Sequence, residues 1–271
     1  DGTRITISGS YLYQNAYAWL GSGGTVTDRH ILLHTANHDG NTTAWQTPVL
    51  TIDPNWNDNT GSSSLAQGLV AYYPFNGNAN DESGNGNNGT VSGVTLTTDR
   101  YGTAAKAYSF DGVNDTINAT IAQLPQSNSA RTLSLWAKAA ALDTENKHAI
   151  NWGEMVDGKA FGVIKGFYSA KHEWIWYGHG LGTFDLNTGI ELNTNWHHIL
   201  ATYNSTTVNV YVDGVLVKSG VKTLNTNGTN LLIGAALDTS GFWNGKIDDI
   251  RIYNRTLTAG EVTQLYNAET P

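Results

Sequence analysis

The segment TVNVYVDGVLVKSG, residues 207–220, consists of two alternating runs on either side of Asp213-Gly214. A period of two sends successive side chains to opposite faces of a strand. Asp-Gly supplies the positive φ angles of a tight type I′ turn, so the segment predicts a β-hairpin. Similar patterns occur at AKAYSFDG (105–112), RTLSLWAKA (131–139), WHHILATYN (196–204) and GKIDDIRIYN (245–254). Short strands separated by Gly and Asn turns predict an all-β sandwich. One helix is expected, at TAGEVTQLYNA (258–268). Thr258 stands three residues before Glu261, a capping-box spacing, and Val262, Leu265 and Tyr266 share a face.

Composition narrows the function. Charged residues make up 14% of the 271, and polarity comes mainly from Asn, Thr, Ser and 30 Gly. The formal net charge is −8, with only 15 scattered Lys and Arg, which argues against a nucleic-acid partner. An acidic surface suits neutral sugars, cationic partners or a divalent cation. The absence of Cys excludes a disulfide framework and a thiolate metal site. No apolar run is long enough to insert in a membrane. The abrupt start at Asp1 reads as a fragment of something longer.

A boundary falls in NWNDNTGSSSLAQ (55–67), which is rich in turn formers. Residues 1–54 form a β-rich N-terminal segment, 55–67 a linker, and 68–271 the sandwich. About fifty residues rarely bury enough apolar surface to stand alone. The N-terminal segment is therefore expected to lean on the sandwich or to join copies of the chain, as an attachment or oligomerisation element.

From Gly68 onward, seven segments follow one another in order. They are GLVAYYPFNGNANDESGNGNNGT, AAKAYSFDGVNDTI, RTLSLWAKA, NTNWHHILATYN, VNVYVDGVLVKSG, NLLIGA and GKIDDIRIYNRTLTAGEVTQLYN. In this order they resemble the bacterial laminin-G-like branch of the concanavalin A-like lectin/glucanase superfamily. The resemblance covers roughly residues 68–268 and implies a jelly-roll sandwich of two antiparallel sheets. It implies no single function, because this fold serves adhesins, carbohydrate-binding modules and enzymes alike.

The loop NGNANDESGNGNNGT (76–90) supplies oxygens from Asp81, Asn85, Asn87 and Asn88, and its glycines let the backbone curl. Strand alternation in KIDDIRIY puts Asp248 on the face of Ile250 and Ile252, and Asp249 with Ile247 and Arg251. A carboxylate on an apolar face needs a partner, either a cation shared with the loop or a Lys, Arg or backbone amide. In the relatives that the sequence resembles, this loop commonly holds calcium. That makes Asp81, Asn85, Asn88 and Asp248 the expected ligands of a structural calcium ion.

Trp152, Trp174, Trp176 and Trp243 lie among Gly, His and charged residues. In HEWIWYGHG (172–180), Trp174 and Trp176 share a face, with His172 two positions earlier and His179 just beyond. Flat rings beside hydrogen-bonding groups suit sugars, so these six residues are the expected ligand-binding set. The alternative is that the strand tryptophans face the core. Trp136 and Trp196 read as packing residues. No HExxH occurs, and His197 and His198 point to opposite sides of a strand, which disfavours zinc.

No strand carries the alternating carboxylates of a glycosidase, and no GxSxG elbow, phosphate loop or dinucleotide fingerprint is present. The expected protein is a non-catalytic glycan-binding or adhesion module, secreted or on a bacterial cell surface. A tip or stalk of an oligomeric surface fibre is the alternative, and a polysaccharide-degrading enzyme the third.

Overall fold

In the computed structural model, residues 65–180 and 183–270 are described. The N-terminal segment (1–54) and most of the linker lie outside the described residues, as does any oligomeric contact made through them. The chain enters the sandwich through β1 (Leu69–Tyr73), β2 (Thr90–Ser92), β3 (Thr95–Thr97), β4 (Ala107–Asp111) and β5 (Thr116–Thr120). Next come β6 (Arg131–Ala139), β7 (Lys147–Gly153), β8 (Ala160–Tyr168), β9 (Lys171–Tyr177) and β10 (Leu186–Glu191). It closes with β11 (His197–Tyr203), β12 (Thr207–Val212), β13 (Val215–Val221), β14 (Asn230–Ile233), β15 (Asn244–Tyr253) and helix α1 (Ala259–Glu269).

These strands form two sheets. The first runs β13-β12-β11-β6-β15-β4-β3, with β1 also pairing β15; the second runs β10-β9-β8-β7-β14-β5-β2. All the pairings between these strands are antiparallel. The architecture is the jelly-roll sandwich that the resemblance implies. β12 and β13 pair across Asp213 and Gly214, whose φ angles are 50° and 76°. The Asp-Gly turn therefore forms as its chemistry requires.

The core lies between the sheets. Leu133 and Leu135 of β6, Ile199 and Ala201 of β11, and Ile247, Ile250 and Ile252 of β15 face inward from the first sheet. From the second come Trp152, Phe161, Val163, Trp174, Trp176 and Ile233, and Trp243 joins them from just before β15. A buried indole removes about 200 Å² from water, worth roughly 5 kcal/mol at about 25 cal/mol/Å². Leaving its N–H unpaired costs about 1–3 kcal/mol. The balance explains why Trp174, Trp176 and Trp243 stay buried although their Nε1 groups find no acceptor among the described residues.

Helix α1 is held at its start by the expected capping box. The Glu261 amide donates to Thr258 Oγ1 at 3.2 Å, and the Thr258 amide to Glu261 Oε2 at 2.8 Å. Val262 and Leu265 pack with Leu200, Tyr211, Tyr253 and Leu257 on the outer side of the first sheet. The helix thus covers part of that face and delivers its last turn beside Trp136.

β15 departs from simple alternation. Its register against β6 shifts between Asp248 and Arg251, and Asp249 has a φ of 43°. Ile247, Ile250 and Ile252 all reach the core. Asp248 and Asp249 both turn away from it, toward one arginine. The expected grouping of Asp248 with Ile250 and Ile252 is therefore corrected: a bulge between them resets the phase of the strand.

Candidate functional site

The candidate site forms where five separate elements meet on the outer face of the first sheet. Trp136 points outward from β6 because Leu135 and Ala137 point into the core. Tyr266 of α1 stacks on it, with ring centroids 5.9 Å apart and planes at 16°. His198, paired with Trp136 across the β6–β11 ladder, lies 5.3 Å from the indole. Trp196, just before β11, is partly exposed. The turn between β12 and β13 adds Asp213, which accepts the His198 amide at 2.9 Å and bonds His197 Nδ1 at 2.8 Å. Burial tends to raise the Asp213 pKa, but these two bonds prevail and hold it below the usual carboxylate range. Arg100, Trp136, Trp196, Asp213, Tyr266 and Thr270 line an open cavity of about 230 Å³.

Arg100 forms the back of this cavity and is a structural clasp. Its guanidinium lies 4.6 Å from the Trp136 ring centroid. It bonds Asp248 through Nη1 at 2.8 Å, Asp249 through Nη2 at 2.8 Å, and the Glu269 carbonyl through Nε at 2.6 Å. Tyr101, the next residue, also donates to the Glu269 carbonyl. The Glu269 carboxylate in turn accepts Trp136 Nε1 at 2.8 Å and pairs with Arg251. One arginine in the turn before β4 therefore ties β15 to the end of α1. Burial, then the neighbouring Asp249, push Asp248 up to about 8 against the pull of Arg100. Asp248 and Asp249 also border a second cavity of about 230 Å³, with Tyr72, Asp99, Tyr101 and Lys106 among its walls.

The expected calcium ligands do not come together as a cation site. Asp81 spends its carboxylate on the loop itself. Oδ1 accepts the Tyr72 and Ser83 amides at 2.9 Å each, and Oδ2 accepts Ser83 Oγ and the Asn87 amide at 2.9 Å each. Asn88 Oδ1 accepts the Asp81 amide at 2.9 Å, while Asn85 Nδ2 donates to the Leu69 and Val70 carbonyls at 3.0 Å. Asn87 Nδ2 also donates to Val70. Asp248 already has the arginine partner that the sequence allowed as its alternative. Among the described residues no group of three or more His, Asp or Glu is placed to hold a metal. The loop is thus a carboxylate wrapped in amide donors, and this donor set does not fit calcium shared between Asp81 and Asp248. Asp81→Ala is expected to lower stability by roughly 2–3 kcal/mol through these lost charged hydrogen bonds. Any response of the melting temperature to millimolar EDTA or CaCl2 is expected to be the same in Asp81→Asn as in wild type, since this carboxylate's oxygens are taken up by the loop's own donors. Differential scanning fluorimetry checks both.

The aromatic expectations also change. Trp152, Trp174, Trp176 and Trp243 are at most 1% exposed, and Trp174 stacks on Trp243 inside the core at 5.8 Å. They offer no face to a ligand, and their assignment as ligand-binding residues is corrected. His172 and His179 stand at opposite ends of β9. His172 packs on Phe167 at 4.8 Å, and His179 Nδ1 lies 3.2 Å from Asp157. They form no joint site. Trp136 and Trp196, both read as packing residues, line the cavity, and Trp196 is the more exposed of the two. One signal was available for Trp136: in RTLSLWAKA it alternates against Leu133, Leu135 and Ala137. Nothing local marks Trp196 or Arg100, because helix and turn meet them from distant parts of the chain.

The family model described as the concanavalin A-like lectin/glucanases superfamily, of laminin-G type, matches residues 110–263. That is more than half of the chain, and the chain belongs to this family. Among solved structures it is similar to domain 4 of AbnA, a GH43 extracellular arabinanase from Geobacillus stearothermophilus, in complex with arabinotriose. The identity is 22% and the TM-score 0.59, over 73% of this chain and 98% of that one. It is also similar to the binding domain of Paraclostridial Mosquitocidal Protein 1, at 20% identity and a TM-score of 0.60, over 75% of this chain and 53% of that one. The binding domain of botulinum neurotoxin serotype G matches at 17% identity and a TM-score of 0.58, over 74% and 51%. The chain spans about half of these two toxin domains. At such identities the likeness is one of fold.

Proposed function

We propose that this chain is a non-catalytic glycan-binding module, secreted or displayed on a bacterial surface, whose site is the cavity at Trp196. The observation that carries this reading is the cavity's composition. A partly exposed tryptophan and a tyrosine form apolar walls beside an arginine, an aspartate and a threonine. Sugar rings call for both kinds of wall: aromatic rings for their C–H faces and placed polar groups for their hydroxyls. AbnA domain 4, whose structure is a complex with arabinotriose, supports a sugar ligand on this fold. Glycoside hydrolysis needs two carboxylates flanking the bond, and Asp213 is the one carboxylate among this cavity's walls. No helix among the described residues is long and apolar enough to cross a membrane.

Trp196→Ala and Tyr266→Ala are expected to weaken retention on the recognised glycan at least tenfold, with the near-UV dichroism of the core tryptophans unchanged. Affinity electrophoresis in gels containing arabinan, β-glucan, galactan or mannan measures this. Equal retention of wild type and Trp196→Ala would remove the cavity from consideration. Release of reducing sugar from any of these polymers would favour the enzyme reading.

A further inference from the structure

Resting on the glycan reading, we infer that the Trp196 cavity selects uncharged sugars and turns away those bearing a carboxylate, with Asp213 as the residue that sets this preference. An arginine in a sugar site ordinarily invites a sialic or uronic acid, because its planar fork matches a carboxylate. Arg100 is already engaged. Of its five N–H donors, four go to the Glu269 carbonyl, Asp248, Asp249 and the Tyr101 hydroxyl. Its side chain is 4% exposed, and two aspartates share its charge. Both carboxylates lie 2.8 Å from the guanidinium. It contributes a wall and a cation over Trp136, with little field left for an anion in the cavity.

Asp213 is differently placed. Each of its oxygens has one partner, the His198 amide on Oδ1 and His197 Nδ1 on Oδ2. A carboxylate oxygen accepts about two hydrogen bonds, so each keeps capacity for one more. Two adjacent oxygens with a free lone pair each match a pair of neighbouring hydroxyls on a sugar. The anchoring bonds fix the carboxylate in place before a ligand arrives, which reduces the ordering cost of binding. The same negative group meets a ligand carboxylate as a like charge, an arrangement that disfavours the anionic sugar most strongly where water is excluded.

The test compares polygalacturonate with its fully methyl-esterified form, which keeps the ring and hydroxyls and removes the charge, alongside arabinan and galactan. Wild type, Asp213→Asn and Trp196→Ala are run in affinity electrophoresis. Asn tolerates the φ of 50° at this turn and keeps a side-chain carbonyl to accept the His198 amide. Neutral polymers are expected to retain wild type at least tenfold more strongly than polygalacturonate. Asp213→Asn is expected to narrow that ratio to less than threefold, with weaker binding of the neutral form. Trp196-dependent retention by polygalacturonate as strong as by neutral polymers would overturn the charge preference while leaving the glycan site standing. An unchanged ratio in Asp213→Asn would remove Asp213 from its role. Failure of every polymer to retain wild type, or retention indifferent to Trp196→Ala, would overturn the glycan reading and this inference with it.

Discussion

Arg100→Ala is expected to cost about 3–5 kcal/mol of folding stability, the range for breaking a buried ion pair by removing one partner. Asp248 is 2% exposed and Arg100 4%, so the pair that is broken is a buried one. The loss extends beyond one pair. Asp249, the Glu269 carbonyl and the Trp136 ring all lose a contact, so β15, α1 and β6 are each loosened. Arg100→Lys keeps the charge but not the fork that reaches two carboxylates and a carbonyl together, and is expected to recover about half of the deficit. Urea unfolding followed by tryptophan fluorescence measures both. A loss below about 1 kcal/mol for Arg100→Ala would mean that the clasp does not hold the end of α1.

The second large effect concerns acid. Burial pushes His148 down to about 4 and His198 down to about 3, from an ordinary value near 6.5. His198 lies fully buried between Trp136 and Tyr266, with Nε2 2.7 Å from Ser134 Oγ. His148 packs edge-on to Tyr177 at 4.7 Å. Between those depressed values and 6.5 the unfolded chain binds more protons than the native one. Stability from each neutral histidine is therefore complete above about pH 6.5 and is lost as pH falls toward its folded value. From pH 7 to pH 4.5 the loss is about 2–3 kcal/mol for each residue. Asp248 works in the opposite direction. Its raised value makes the native state the better proton binder between about 4 and 8, so falling pH favours folding there. The two contributions are separated by difference. His148→Phe and His198→Phe are each expected to be less stable than wild type at pH 7, and to close that gap by about 2–3 kcal/mol at pH 4.5. A gap that stays constant with pH would show that the histidines are not held neutral by burial.

Features set within a few residues were legible in the sequence. The Asp213-Gly214 turn needs only its own φ angles, and the Thr258–Glu261 box only its own four residues, so both form as read. β6 also matches its pattern end to end, because Leu133, Leu135 and Ala137 mark one face and the turn formers mark its limits. The phase of β15 was not legible. A positive φ at Asp249 requires neither glycine nor asparagine there, and the bulge follows from pairing with β6. The face of each strand tryptophan was not legible either. In β9, Trp174 and Trp176 do alternate with Ile175 and Tyr177, but both sets are buried, so periodicity gave no direction. Trp196 lines a cavity because of what arrives beside it. Tyr266 and Asp213 reach it from other elements, and no local pattern encodes their arrival. The acidic loop was ambiguous for a related reason. Asp81 with its glycines and asparagines is equally suited to gather metal or amides, and the direction of the Tyr72, Ser83 and Asn87 N–H groups decides between them.

The most direct test of the central claim is the set of indole N–H resonances of the 15N-tryptophan-labelled chain, assigned by single substitutions and followed during titration with neutral oligosaccharides. The Trp196 signal is expected to shift in a saturable way, with a smaller change at Trp136 behind it. Trp152, Trp174, Trp176 and Trp243 are expected to stay in place. A saturable shift at Trp174 or Trp243 with Trp196 unmoved would contradict the claim, because those rings would then have to meet the sugar from within the core.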